Sequence, residues 1–115
     1  MMPFIRFTGF NRETLEIFAP SLIEKIATIA NIQKDTIKLE LHKTEPLTQS
    51  PPSIEILIFP RDQQTFDSLS SLIYEILSKY GYTNVHIFFQ LLSPLLYYKN
   101  GVSIDESIYF KKFNS

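Results

Sequence analysis

Few side chains in this sequence are equipped for chemistry, and their types narrow what that chemistry is. Cysteine is absent, which removes thiolate nucleophiles, disulfides and zinc–thiolate sites together. The two histidines, His42 and His86, have no carboxylate or cysteine partners at metal-ligand spacing, so no metal site is expected. No nucleophile-elbow glycine pattern supports a Ser-His-Asp arrangement. Only three glycines are present, so no phosphate-cradling loop exists and no cofactor is expected. What remains is a set of cations able to hold carboxylates, Arg6, Arg12, Lys34 and Arg61, together with a proline close to the start, Pro3.

Composition excludes several partners. Net charge is −1 and no basic run exceeds two residues, so the cationic face of a nucleic-acid binder is not expected. Apolar residues make up 44%, yet no run approaches a membrane span. The first residues show no basic stretch leading into an apolar core, so a cytoplasmic location is expected.

The elements that must position these groups follow from periodicity. Phe4–Phe10 is rich in strand formers and ends near Gly9. Asn11 is an N-cap candidate, and Leu15, Phe18, Leu22, Ile23, Ile26 and Ala30 then recur at helical spacing. Pro20 lies inside that helix and should kink it or split off its first turns. Thr36–Lys43 alternates, with Ile37, Leu39 and Leu41 on one side and Lys38, Glu40 and His42 on the other. Three prolines make 45–53 a loop. Ile54–Phe59 is a third strand. A second helix starts at Arg61-Asp62-Gln63 and carries the stripe Phe66, Leu69, Ile73, Ile76, Leu77 and Tyr80, with Gly81 as its cap. Val85–Leu91 is a fourth strand, apolar on both faces. Asn100-Gly101 between β-compatible residues signals a hairpin. The tail keeps Ile108, Tyr109, Phe110 and Phe113, too apolar for a free end, and is expected to dock on its own or a neighbouring subunit.

The halves repeat. Ser-Leu-Ile-Glu-Lys-Ile at Ser21 and Ser-Leu-Ile-Tyr-Glu-Ile at Ser71 align at a shift of 50, which also carries Phe4 to Ile54 and Ile37, Leu39 and Leu41 to Ile87, Phe89 and Leu91. The chain therefore reads as one α/β (α+β) domain over 1–115. Repeat one covers about 3–45 and repeat two about 53–92, with a C-terminal hairpin and tail at 93–115. Two β-α-β units make a four-stranded mixed sheet with two helices on one face. Both a ferredoxin-like order and a pair of parallel β-α-β units fit this succession. The long proline-bearing link at 45–53 favours the second.

Pro3-Phe4-Ile5-Arg6-Phe7, Gly9, Leu39-Glu40-Leu41 and Tyr97-Tyr98-Lys99-Asn100-Gly101 resemble the tautomerase superfamily, which includes 4-oxalocrotonate tautomerase and macrophage migration inhibitory factor. The likeness is greatest to a family of uncharacterised small bacterial proteins within it, and it spans about residues 2 to 104. The resemblance implies a homotrimer and a small carboxylate or enol ligand, acted on by keto-enol tautomerisation. In that family an N-terminal proline is the general base, because a free α-amine titrates near pH ~8 and burial lowers it further. Pro3 is the candidate base. Behind Met1 and Met2 its nitrogen is an amide, so the role requires a chain that begins at Pro3. The other readings are a strand-initiating proline in a non-catalytic homotrimeric binding or assembly module, and a ferredoxin-like ligand-binding domain. Arg6 and Arg12 are the candidate carboxylate ligands, against ion pairing and surface solvation. Tyr97 and Asn100 resemble the rim of a tautomerase pocket, against packing and a hairpin turn.

Overall fold

The computed structural model describes residues 3–104. Strand β1 is Phe4–Thr8, helix α1 Arg12–Ala30, β2 Lys38–His42, β3 Ser53–Ile58, α2 Gln63–Ser78 and β4 His86–Leu91. A hairpin of β5 (Tyr98–Lys99) and β6 (Val102–Ser103) follows, and short 3₁₀ turns at Lys34–Thr36 and Pro94–Leu96 lead into β2 and the hairpin. The main sheet has the order β2-β1-β3-β4. β1 and β2 are parallel, β1 and β3 antiparallel, and β3 and β4 parallel. β2 and β3 are not neighbours, so the ferredoxin-like alternative is ruled out. Each parallel pair is closed by its own crossover helix.

Alternation explains which face the helices cover. Ile5 and Phe7 of β1 and Ile54, Ile56 and Ile58 of β3 are buried, and they meet Phe18, Leu22 and Ile26 of α1 and Leu69, Ile73 and Leu77 of α2. In β4, Phe89 packs against Phe66 of α2 at 4.9 Å between ring centres, while Phe88 points to the uncovered face and is exposed.

The repeat is real, but its shift is not constant. Buried Phe18, Leu22 and Ile26 correspond to buried Leu69, Ile73 and Leu77, and Ile5 and Phe7 to Ile56 and Ile58, a shift of 51 in each case. The second strands keep 50, since Ile5 pairs with Leu39 and Ile56 with Phe89. A one-residue slip in a strand turns every side chain to the other face. The Ser-Leu-Ile match at Ser21 and Ser71 is therefore one residue out of structural register.

Local signals act as expected at most helix ends. Asn11 Oδ1 accepts from the Thr14 N–H at 3.2 Å, and Asp62 Oδ1 from the Thr65 N–H at 2.9 Å. Those hydrogen bonds, first from the Thr65 hydroxyl and then from its amide, hold the Asp62 carboxyl below its ordinary range. Helix α1 closes on Asn31 with φ 55°, where the Ile32 N–H reaches the Ala27 carbonyl. Helix α2 ends one residue before its cap, Lys79, and Gly81 follows with φ 90°. Pro20 does not divide α1, which runs unbroken through it. The residue is exposed, so the carbonyl it leaves without a donor faces water.

Gly9, with φ 85°, turns the chain from β1 into α1, and a Cβ there would lie 3.2 Å from the Pro52 Cα. Gly9→Ala is expected to cost about 1–2 kcal/mol from the left-handed backbone alone, read as a lowered denaturation midpoint. Asn11→Ala should cost about 1 kcal/mol through the lost cap.

Candidate functional site

The face of the sheet that the helices leave uncovered carries the polar residues of all four strands. In its middle row the register sets Glu40 of β2 and Glu55 of β3 on either side of Arg6. Arg6 Nε donates to Glu40 Oε1 at 3.2 Å, and its Nη1 lies 3.5 Å from Glu55 Oε1. His42, two residues along β2, places Nε2 3.0 Å from the same Glu40 oxygen. The His42 hydrogen bond holds the Glu40 carboxyl below its usual range against the opposing effect of burial, with the Arg6 hydrogen bond and the two positive charges adding smaller lowerings. Arg6 is thus engaged by two carboxylates of its own chain.

Pro3 stands at the head of β1. Its side chain is fully buried, and its carbonyl accepts from the Lys38 N–H at 3.0 Å. Lys38 lies opposite Phe4 on the neighbouring strand, and its Nζ donates to the Asp35 carbonyl at 2.9 Å. Because β3 runs antiparallel to β1, its far end reaches the same edge of the sheet, where Phe59 is buried. The Tyr97 ring meets Phe59 edge-on, with centres 5.5 Å apart. Pro3, Lys38, Phe59 and Tyr97 therefore gather at one end of the sheet.

The other candidates lie elsewhere. Arg12 opens α1 beyond the opposite end of β1, a strand length of about 16 Å from Pro3. Its Nε donates to Glu16 Oε1 at 2.8 Å, which raises the guanidinium's pKa further. A cleft of about 830 Å³ beside it is lined by Gly9, Asn11, Arg12, His42, Lys43 and Pro51. Asn100, at φ 54°, and Gly101, at φ 79°, form the two-residue turn of the hairpin, and Asn100 is exposed there. One chain thus brings Tyr97 to the Pro3 end and keeps Arg12 away from it. Sequence reasoning missed Lys38 and Phe59. Alternation placed Lys38 on a polar face, but only the pairing register puts it beside Pro3. Among the described residues, no three His, Asp or Glu side chains converge as metal ligands, and no helix is long and apolar enough to cross a membrane.

The family described as Domain of unknown function (DUF1904) matches residues 2–103. A solved DUF1904 domain from Sebaldella termitidis ATCC 33386 is 29% identical, with a TM-score of 0.81, covering 88% of this chain and 98% of that one. A protein of unknown function from Vibrio cholerae O1 is 23% identical, with a TM-score of 0.82 over 88% and 86% of the two chains. A fused 4-OT, described as an asymmetric trimer, shares the fold at 11% identity, with a TM-score of 0.73 over 93% and 98%. Macrophage migration inhibitory factor homologues carry it too. No curated protein matches the sequence.

The depressed Glu40 carboxyl makes a signed prediction. Its folded pKa lies below the unfolded value of about 4.3, so the stability it contributes is present above that value and is lost as pH falls through the folded one. The side chain is partly exposed, so solvent screening keeps the amount below about 1 kcal/mol. Glu40→Gln is expected to flatten the fall of the denaturation midpoint between about pH 5 and pH 3.

Proposed function

The chain belongs to the DUF1904 family, and from that premise we propose that it is a small-carboxylate tautomerase whose base is the α-amine of Pro3 when that residue is the N-terminus. The observation that carries the proposal is the placement of Pro3: buried at the head of the central strand, with Lys38 on the adjoining strand and the Phe59–Tyr97 pair at the same end. A secondary amine taken out of water binds its proton less tightly, which brings its titration toward the neutral range where a general base works best. It can then take a proton from the carbon next to a carbonyl and return it elsewhere on the enol. The Lys38 ammonium is the cation available to the substrate carboxylate or the developing enolate oxygen. Phe59 and Tyr97 offer an apolar wall.

The protein acts as a homotrimer in this reading. Helices cover one face of the sheet only, and Phe88 and the Glu40–Arg6–Glu55 row lie on the other. Copies arranged around an axis would cover that face, and the trimeric state described for the fused 4-OT supports the same arrangement. A neighbouring copy is also the way for Arg12 to reach a Pro3 site that its own chain holds about 16 Å away.

A second reading has its own observation. Met1 and Met2 precede Pro3 in the sequence, and in a chain that keeps them the Pro3 nitrogen is an amide with no basicity. Such a chain is a binding or assembly module built on the same fold.

One assay on two chains decides between them. A chain beginning at Pro3 is expected to convert the enol of an arylpyruvate such as phenylpyruvate, and the chain carrying Met1-Met2 is not. Equal turnover by both would remove Pro3 as the base. In the active form Lys38→Ala should raise KM by on the order of tenfold, the loss of about 1.4 kcal/mol of carboxylate binding. Light scattering at micromolar concentration should give the mass of three 13.4 kDa chains, and a strict monomer would end the trimeric reading.

A further inference from the structure

The two repeats differ in how each helix meets its outer strand. With the shift of 51 for the helices and 50 for the outer strands, Phe66 of α2 corresponds to Leu15 of α1, and Phe89 of β4 to Leu39 of β2. In the second repeat the two rings meet at 4.9 Å between α2 and β4. In the first repeat leucines stand at both positions, and a pocket of about 420 Å³ opens there, lined also by Phe7, Phe18 and Leu41. Leu15, Leu39 and Leu41 are only half-buried, so their apolar surface faces the pocket. A cavity of this size suits a small organic molecule.

The charges at the pocket differ between the repeats as well. Arg12, Glu16, Glu40 and Lys43 line it. Arg12 Nε donates to Glu16 Oε1 at 2.8 Å, and Glu40 is engaged by Arg6 and His42 on the open face. Lys43 is left over: among the described residues its ammonium enters no ion pair. At the shift of 50 the second repeat has the neutral Ser93 in its place. The repeat that lacks the two rings is therefore the one with an uncompensated cation beside the gap.

We propose that this pocket binds an arylalkanoate, an aromatic ring on a short chain that ends in a carboxylate. The ring packs on Leu15, Phe18 and Leu39, where the second repeat places Phe66 and Phe89, and the carboxylate meets the Lys43 ammonium. Phe7 and Phe18, 6.4 Å apart and tilted by 48°, offer the inclined faces that a further ring packs against. Burial of the ring supplies most of the affinity. Lys43 is exposed, so its charge contributes a modest preference for an anion. The site lies at the Arg12 end of the sheet, away from Pro3, and one chain supplies all of it. It rests neither on catalysis at Pro3 nor on assembly.

The test titrates 3-phenylpropionate, which has no keto group to enolise, into the full chain carrying Met1-Met2, with 3-phenylpropanol as its uncharged counterpart. Saturable shifts are expected in the methyl NMR signals of Leu15, Leu39 and Leu41, with the Tyr97 ring signals unmoved. Lys43→Ser should weaken the acid about threefold and leave the alcohol unchanged. Leu15→Phe with Leu39→Phe gives the first repeat the rings of the second and should remove the binding of both. A retained thermal midpoint shows that this variant is folded; if it does not fold, Ala19→Leu fills the same pocket from α1 and carries the same expectation. Absence of saturable shifts, or acid and alcohol binding alike with and without Lys43, overturns the proposal. Shifts confined to Tyr97 and the Pro3 end place the ligand at the other site and overturn it. Pocket shifts that appear on concentrating the protein without ligand assign the pocket to a second copy and overturn it equally.

Discussion

Everything in this fold hangs on the antiparallel pairing of β1 with β3. Ile5 faces Ile56 and Phe7 faces Ile54 across that pair, and these side chains form the floor on which both helices rest. Each central strand also has a parallel partner on its outer side, delivered by its own helix. Because a strand's side chains alternate with period two, fixing this one register fixes which residues are covered and which are left on the open face. Shifting it by one would turn one strand over against the other, burying either Arg6 with the β3 isoleucines or Glu55 with Ile5 and Phe7 under the helices. The penalty for burying charged groups beneath an apolar layer makes that alternative inaccessible.

The same register makes the open face polar in a particular order. Arg6 stands between Glu40 and Glu55, and His42 extends the row along β2. The arginine's two carboxylate partners come from strands on either side, so the row stitches three strands together. Each pair is partly exposed and contributes modestly on its own. Arg6 in this arrangement is a structural cation before it is a ligand for anything else. A face that mixes such a row with Phe88 suits contact with another copy better than permanent exposure to water.

The ends of the sheet divide the work. One end collects Pro3, Lys38, Phe59 and Tyr97. The other holds the capped start of α1, with Arg12 and the cleft beside it. The separation is a strand length, and it follows from topology: in a β-α-β unit, the start of the first strand and the start of the helix lie at opposite ends. A site that used both a Pro3 amine and the Arg12 guanidinium would have to be assembled from more than one chain. Lys38 escapes this limit, since β2 runs parallel to β1 and begins at the same end.

The sequence by itself determined the elements and their faces, because periodicity and capping are local. The stripes of α1 and α2, the alternation in β2, the Asn11 cap and the Asn100-Gly101 turn were all legible from neighbours a few residues apart. It also determined the β-α-β repeat, and the family resemblance carried the fold class with it. The repeat's shift was legible only to within a residue, since the Ser-Leu-Ile match is a similarity of letters and the true shift of 51 is a similarity of burial. Pro20 reads locally as a kink or a break in α1, yet it does not split off the first turns, and it lies on the solvent face, where the missing hydrogen bond costs little. What only the tertiary structure decided is who stands beside whom across strands. The engagement of Arg6 by Glu40 and Glu55, the arrival of Lys38 and Phe59 next to Pro3, and the distance between Pro3 and Arg12 all follow from strand order and register. Those are set by how two distant apolar floors fit together, a non-local choice that no window of sequence contains.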